Sequence, residues 1–242
     1  MSAQPRPAFY ALERGGWRDY VTVLHLPYTA WHLSFVALGA GLAPRVDWAR
    51  LGLTLAAFFL AVGIGAHALD ELKGRPLRTE IPDAVLSVAA TVSIAGAVAI
   101  GIVAALQSLP WLLAFVAAGA FLVTAYNLEL AGGRFHTDWW FAASWGGFPV
   151  LVGAFAQQER VTVAAVAAAG GATLMSLAQR RLSSFVRHLR RNVSEVAAEV
   201  GFADGTVERL GRPELIAPAE AALRLLSGSA VLLALALLAR QL

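Results

Sequence analysis

The sequence contains no cysteine and few charged residues. Without cysteine, the 242-residue chain can form no disulfide framework and no cysteine-ligated metal site. Charged residues make up 14% of it and hydrophobic residues 58%, whereas an ordinary soluble domain has about 25% and about 45–50%. The first twenty residues lack the apolar core of a cleavable signal peptide. The basic residues lie beside apolar runs rather than on a polar domain, so we expect no binding to nucleic acid.

Long apolar runs are what the sequence has instead. A helix needs about 20 mostly apolar residues to cross the hydrocarbon core of a bilayer. Seven segments meet this requirement, near 21–43, 51–70, 84–106, 110–128, 138–157, 161–178 and 217–239. They are too long, and alternate too little, for the strands of a membrane barrel. The sequence therefore predicts an all-α, polytopic transmembrane bundle of about seven spans, forming one domain over residues 1–242.

The connections between these segments differ in their content of lysine and arginine. With seven spans, fourteen of these residues fall on the side of the N-terminus and four on the other side. Basic residues concentrate in cytoplasmic connections, so the N-terminus is predicted to be cytoplasmic, in a multi-pass protein of a prokaryotic membrane. Residues 1–19 then form a cytoplasmic N-terminal segment. Residues 179–216 form a cytoplasmic helix, followed by a loop with short helical pieces.

Three ionisable residues follow one another at the end of the second segment. His67 precedes Asp70 by three residues and Glu71 by four, so on a helix the three share a face. Mg²⁺ in proteins usually takes one or two carboxylates together with substrate phosphates. We therefore interpret Asp70 and Glu71 as candidate metal ligands at the cytoplasmic mouth of the bundle. The alternative is a span end that carries solvated charges.

Other histidines also admit two interpretations. His136 could act as a base or bind a metal beside Asp138, or it could be a loop histidine next to a helix-capping aspartate. His25 and His32 lie seven residues apart, on one face of the first segment. An ionisable residue inside a membrane helix usually faces the bundle interior, so these two are either functional or part of the packing.

The order of these motifs resembles the UbiA superfamily of intramembrane prenyltransferases. That family carries Asn-Asp-x-x-Asp-x-x-x-Asp at the end of its second span, and Asp70 falls on the central aspartate. Gly-Arg-Pro-Leu-Arg at 74–78 is similar to the stretch that often follows. Further similarities lie at 25–29, at 126–127, and from Asp138 to Trp-Gly-Gly-Phe-Pro-Val at 145–150. Where the family has a second aspartate motif, near Gln179 and Ser183, this chain has no carboxylate.

The resemblance implies an enzyme that transfers a prenyl group from an isoprenoid diphosphate to a lipophilic acceptor, with Mg²⁺, in contact with membrane lipids. Asp70 and Glu71 would hold the ion, and His67 would position one of them or a phosphate. The predicted substrate-binding residues are Arg75, Arg78, Asn127, His136, Asp138, Arg180 and Arg181. Because the second motif is missing, a non-catalytic protein of the same fold, which binds a lipid or isoprenoid or serves as a partner subunit, is the alternative.

The basic run at 180–191 admits a second interpretation as well. Arginines next to a span commonly anchor it against anionic lipid. We assign Arg187, Arg190 and Arg191 to that role, whereas for Arg180 and Arg181 anchoring and phosphate binding both remain open.

Overall fold

Helices account for most of the chain in the computed structural model, which describes residues 6–107 and 109–242. The helices are α1 (Trp17–Val23), α2 (Leu26–Gly41), α3 (Trp48–Leu72), α4 (Asp83–Gln107), α5 (Leu112–Asn127), α6 (Asp138–Ala142, continued by Ala143–Gly147 and Phe148–Gln158), α7 (Val163–Arg191) and α8 (Arg212–Ala239). A single turn, Leu130–Gly133, lies between α5 and α6. Every predicted apolar segment coincides with a helix, and the helical class is confirmed.

Several of these helices could span a membrane. Three of them, α3, α4 and α8, are long and apolar enough. The pair α1 and α2, bent by 40°, makes a fourth if it is counted as one span. Helix α5 is apolar but has only 16 residues. An integral membrane protein is consistent with this set of helices.

The connection between α7 and α8 differs from the prediction. Instead of a loop with short helical pieces, two antiparallel strands pair, β1 (Ala198–Gly201) and β2 (Val207–Leu210). The turn that joins them contains Asp204, whose Oδ1 accepts hydrogen bonds from the backbone and hydroxyl of Thr206, and Gly205 at φ 87°. Asp-Gly between two short alternating segments is typical of a hairpin, so the sequence contained a signal that was misread.

The helices run up and down, so that their ends form two groups. At one end, Lys73 after α3 pairs with Glu129 after α5, and Arg180 of α7 pairs with Asp138 of α6. At the opposite end, Arg50 of α3 pairs with Glu159 after α6. The connections that carry most of the arginines therefore gather at one end, which we call the arginine-rich end.

Helix α2 lies at the centre of the bundle, between α6 and α8. Its Trp31 and Phe35 are fully buried, and the Trp31 indole donates a hydrogen bond to the buried Ser176 hydroxyl of α7 at 3.3 Å. The backbones of α2 and α6 lie close together because each helix has a glycine at the contact, Gly39 in α2 and Gly153 in α6. A Cβ atom at Gly39 would lie 2.1 Å from the Val150 carbonyl oxygen, so these backbones touch directly.

Two helices contain a π-helical section. In α3 it covers Phe59–Ala66, and in α6 it covers Ala143–Gly147. A π-helical turn carries one more residue than an α-helical turn and occurs frequently at functional sites. Val62, Ala66 and Trp145 of these sections line a polar cavity at the arginine-rich end of the bundle.

Candidate functional site

A polar cavity of about 310 Å³ lies at the arginine-rich end of the bundle. Side chains from α2, α3, α5, α6 and α7 line it, together with the N-terminal segment before α1. Ligand cavities in proteins typically measure about 300–1,000 Å³. The cavity is therefore large enough for a small ligand or a head group.

Five of the ten predicted site residues line this cavity: His67, Asp70, Asn127, His136 and Arg180. They come from four elements that are far apart in the sequence. Local contacts orient His67, Asn127, His136 and Arg180. For example, the His136 ring stacks on the Tyr126 ring with centroids 4.4 Å apart, and its Nδ1 lies 3.1 Å from the Tyr126 carbonyl oxygen. These five residues therefore line one cavity, and their roles in binding or catalysis stay predictions.

Glu71 lies outside the cavity and accepts hydrogen bonds from the connection that follows α3. Its fully buried carboxylate accepts hydrogen bonds from the backbone N–H of Leu77 at 2.9 Å, and from the backbone N–H and the hydroxyl of Thr79 at 2.9 and 2.8 Å. One of its oxygens thus accepts two hydrogen bonds and the other accepts one. Glu71 therefore stabilises this connection, and we do not assign it to a metal ion.

The remaining predicted residues also lie outside the cavity. Arg75 donates to the Ile81 carbonyl at 2.6 Å and pairs with Asp83. Like Arg75, Arg78 is part of the connection after α3. Arg181 is exposed on α7. Asp138 stands at the rim, where its Oδ1 accepts a hydrogen bond from Arg180 Nε at 3.2 Å. The cap of α6 is Thr137, which accepts from Trp140 N–H, rather than Asp138 as the sequence suggested.

Helix α7 contributes more to the cavity than the sequence indicated. Besides Arg180, it presents Gln179, Ser183, Arg187 and Arg191, spaced by four residues. This spacing marks one helix face. Arg187 and Arg191 therefore face the cavity rather than anchoring the helix against lipid, and the sequence interpretation of these two was wrong.

The charges in the cavity do not balance. Three arginines line it, and Asp70 is the only carboxylate among the described lining residues. Arg180 is paired with Asp138, but within the described chain neither Arg187 nor Arg191 has a carboxylate oxygen within 4.0 Å. Both are partly buried, and within that part of the chain each donates a hydrogen bond only to a neutral oxygen, of the Ser184 hydroxyl and the Pro7 carbonyl respectively. Charge that is partly removed from water is costly unless an opposite charge compensates it. The site is therefore suited to an anionic ligand.

The electrostatic environment of Arg187 and Arg191 also favours an anionic ligand. Burial lowers the pKa of the Arg187 guanidinium, and the neighbouring charges of Arg180 and Arg191 lower it further. Burial also lowers the pKa of Arg191. A guanidinium remains charged in proteins. The lowered pKa therefore reflects unfavourable burial of charge, which an anion in the cavity would relieve.

The N-terminal segment, residues 6–11, covers the mouth of the cavity. Arg191 Nε donates to the Pro7 carbonyl at 3.5 Å, and the Arg224 guanidinium lies 5.0 Å from the centre of the Phe9 ring. The Tyr10 hydroxyl lies 3.1 Å from His25 Nδ1. Burial raises the pKa of the Tyr10 phenol. This segment was predicted to be a cytoplasmic extension, and its sequence carries no periodicity that would indicate docking.

Three histidines at the start of α2 and in α2 and α3 complete the wall. The rings of His25 and His67 stack 4.1 Å apart, and His32 Nδ1 lies 2.9 Å from the Trp145 carbonyl oxygen. His25 has a left-handed backbone at φ 47°, and its buried Nε2 has no hydrogen-bond partner among the described residues. His25 and His32 both line the cavity, and a functional role for them stays a prediction.

A second cavity adjoins the first and is almost entirely apolar. It measures about 550 Å³ and lies between α3, α4, α5 and α6. The side chains of Val62 and Trp145 border both cavities. The bundle therefore has a cationic cavity at the arginine-rich end and, next to it, an apolar cavity that extends toward Arg50 at the opposite end.

Comparisons with protein-family models, curated proteins and solved structures found no match. The relation to intramembrane prenyltransferases therefore rests on the motifs quoted above, and it remains a prediction.

The donor atoms that are present do not fit a resident metal centre. Within residues 6–107 and 109–242, no three His, Asp or Glu side chains come together as ligands. Glu71 is occupied by the connection after α3, and Asp138 is paired with Arg180. Asp70 is then the one carboxylate among the described lining residues.

Proposed function

We propose that this chain binds an isoprenoid diphosphate, with the diphosphate in the polar cavity and the isoprenoid chain in the apolar cavity. The observation that carries this proposal is that a cationic cavity and an apolar cavity lie next to each other, with the side chains of Val62 and Trp145 bordering both. Arginine binds phosphate oxygens with two parallel N–H donors. A branched hydrocarbon chain would be solvated by the aliphatic and aromatic lining of the second cavity.

We further propose that the bundle crosses a membrane seven times with its N-terminus in the cytoplasm, as a shortened UbiA-like fold. The alternation of helix ends supports this topology, since connections predicted to lie on one side gather at one end. The arginine-rich end would then face the cytoplasm, in line with the usual distribution of basic residues. A water-soluble diphosphate could reach the cavity from that side.

The reaction that this arrangement favours is prenyl transfer. The bond between C1 of the isoprenoid and the diphosphate oxygen would break, and the leaving diphosphate would keep the electron pair. An acceptor would then supply an electron pair to the allylic cation and lose a proton. N–H donors that are already oriented toward the departing oxygen stabilise its growing charge. Arg187 and Arg191 would supply those donors. Mg²⁺ assistance, implied by the family resemblance, remains a prediction.

A non-catalytic binder of the same ligand class is the second candidate. The observation that favours it is the single carboxylate of the cavity, Asp70. Such a protein would present or store a lipid phosphate without breaking a bond. Release of diphosphate from the bound ligand separates the two candidates, because only the enzyme produces it.

The first experiment measures binding of a radiolabelled isoprenoid diphosphate to the purified protein in nanodiscs. Wild type should bind, and Arg187→Gln should bind at least about tenfold more weakly, because it removes a charge-assisted contact worth about 1.5–3 kcal/mol. Arg181→Gln is the matched control, since it removes the same charge from the exposed face of the same helix. No binding by wild type, or equal weakening by both variants, would contradict the proposal. Measurement of released diphosphate, with candidate acceptors added, then tests the transfer step.

A further inference from the structure

Opposite walls of the polar cavity carry opposite charge. Helix α7 presents Arg180, Arg187 and Arg191, whereas α3 presents Asp70. Asp70 interacts electrostatically with Arg187 and Arg191, although no direct ion pair forms within the described residues. The carboxylate therefore partly compensates the arginines across the cavity.

An anion that entered this cavity would meet both groups. Its phosphate oxygens would accept hydrogen bonds from the guanidinium groups. The same oxygens would be repelled by the Asp70 carboxylate, because the two groups carry charge of the same sign. A divalent cation between Asp70 and the phosphate could offset this repulsion. It would, however, stand beside the arginines with a single protein carboxylate, since Glu71 is turned to the connection after α3.

We propose that Arg180, Arg187 and Arg191 bind the diphosphate directly, without a divalent cation, and that Asp70 weakens this binding. In the absence of ligand, Asp70 partly balances the arginine charges. In the complex the diphosphate takes over that role. This inference rests on the proposed function, because it specifies how the same cavity holds the isoprenoid diphosphate.

The experiment compares binding of a farnesyl thiodiphosphate, which resists bond cleavage, in excess EDTA and in excess MgCl₂. For wild type the two Kd values should agree within about threefold, a difference below about 0.7 kcal/mol. Asp70→Asn should bind more tightly than wild type, by up to about tenfold, since one repulsive charge is removed. An unchanged Kd would contradict the role given to Asp70. Asp204→Asn, in the exposed hairpin turn, is the matched control and should not change the Kd.

The opposite result has a distinct pattern. If a divalent cation bridges Asp70 and the diphosphate, EDTA and Asp70→Asn each weaken binding by about tenfold or more, and the inference is overturned while the proposed function stands. If wild type binds in neither condition, the proposed function itself fails, and the inference fails with it. The comparison of EDTA with MgCl₂ uses wild type alone, so it decides the question even if Asp70→Asn does not fold.

Discussion

Replacing Gly153 by alanine tests the closest contact in the bundle, the crossing of α2 and α6. A Cβ atom at this position would lie 2.1 Å from the carbonyl oxygen of Val36. Gly39, on the other helix, has the same relation to Val150. The obstructing atoms belong to the backbone, so no change of rotamer can make room. The two helices must move apart for the alanine to fit.

The size of the effect follows from this distance. Carbon and oxygen in the closest contacts of this kind stay about 3.3 Å apart, so the new methyl group is about 1.2 Å too close. Overpacking of this type costs about 1–3 kcal/mol. Alanine returns about 0.5–1 kcal/mol through its better helix propensity. The net destabilisation then lies between about 0 and 2.5 kcal/mol, and its midpoint of about 1.2 kcal/mol lowers the Tm by about 2–5 °C at about 2–4 °C per kcal/mol.

The assay is thermal unfolding in detergent, followed by tryptophan fluorescence. Gly171→Ala is the matched control, since Gly171 lies on the exposed face of α7, and a Cβ atom there would have no neighbour within 4 Å. This substitution should leave the Tm unchanged or raise it, because only the propensity gain remains. Equal Tm values for Gly153→Ala and Gly171→Ala would show that α2 and α6 do not touch at this crossing.

Three further predictions concern buried or charged contacts. Glu71→Gln should lower the Tm and leave binding of the isoprenoid diphosphate unchanged, because each hydrogen bond lost inside the connection after α3 costs about 1–3 kcal/mol. Ser176→Ala should destabilise the protein by about 1–3 kcal/mol, because the buried Trp31 indole loses its acceptor. The hydrogen bond from Lys73 lowers the pKa of Glu129, so this pair stabilises the fold above the unfolded pKa of about 4.3. That stability is lost as the pH falls through the folded pKa, and Lys73→Met should remove this part of the pH dependence.

Each of these three predictions has its own control. For Glu71→Gln, a loss of binding at unchanged Tm would assign Glu71 to the ligand instead of the connection. For Ser176→Ala, the added change Trp31→Phe should recover part of the stability because it removes the unpaired donor. For Lys73→Met, acid unfolding curves that match those of wild type would show that the ion pair contributes nothing.

Much of the architecture could be predicted from the sequence, because hydropathy is a local property. Each apolar segment became a helix, and the polar ends of these helices came together at two ends of a bundle. The placement of His67 and Asp70 in one cavity also followed from their spacing. The hairpin between α7 and α8 could have been predicted from Asp-Gly at 204–205.

The role of Glu71 could not be predicted in this way. Its spacing from His67 is that of a neighbour on a helix face, but the chain after α3 folds back and places Leu77 and Thr79 as donors against its carboxylate. Nothing in the local pattern indicates that the connection returns. The position of residues 6–11 at the cavity could not be predicted from the sequence either. It depends on contacts of Pro7 with Arg191 and of Tyr10 with His25, which are far away in the chain.

The arginines of α7 illustrate which properties can be predicted from the sequence and which require the tertiary structure. From the sequence we predict a helix with basic residues at its end, next to apolar segments long enough to cross a bilayer. Spacing by four residues placed Arg187 and Arg191 on one face, but a basic face looks the same in sequence whether it meets lipid head groups or an internal cavity. Only the tertiary structure decided between them, because the direction of a helix face depends on which neighbours pack against the helix. That packing turned the arginines toward Asp70, beside a hollow lined with hydrocarbon side chains.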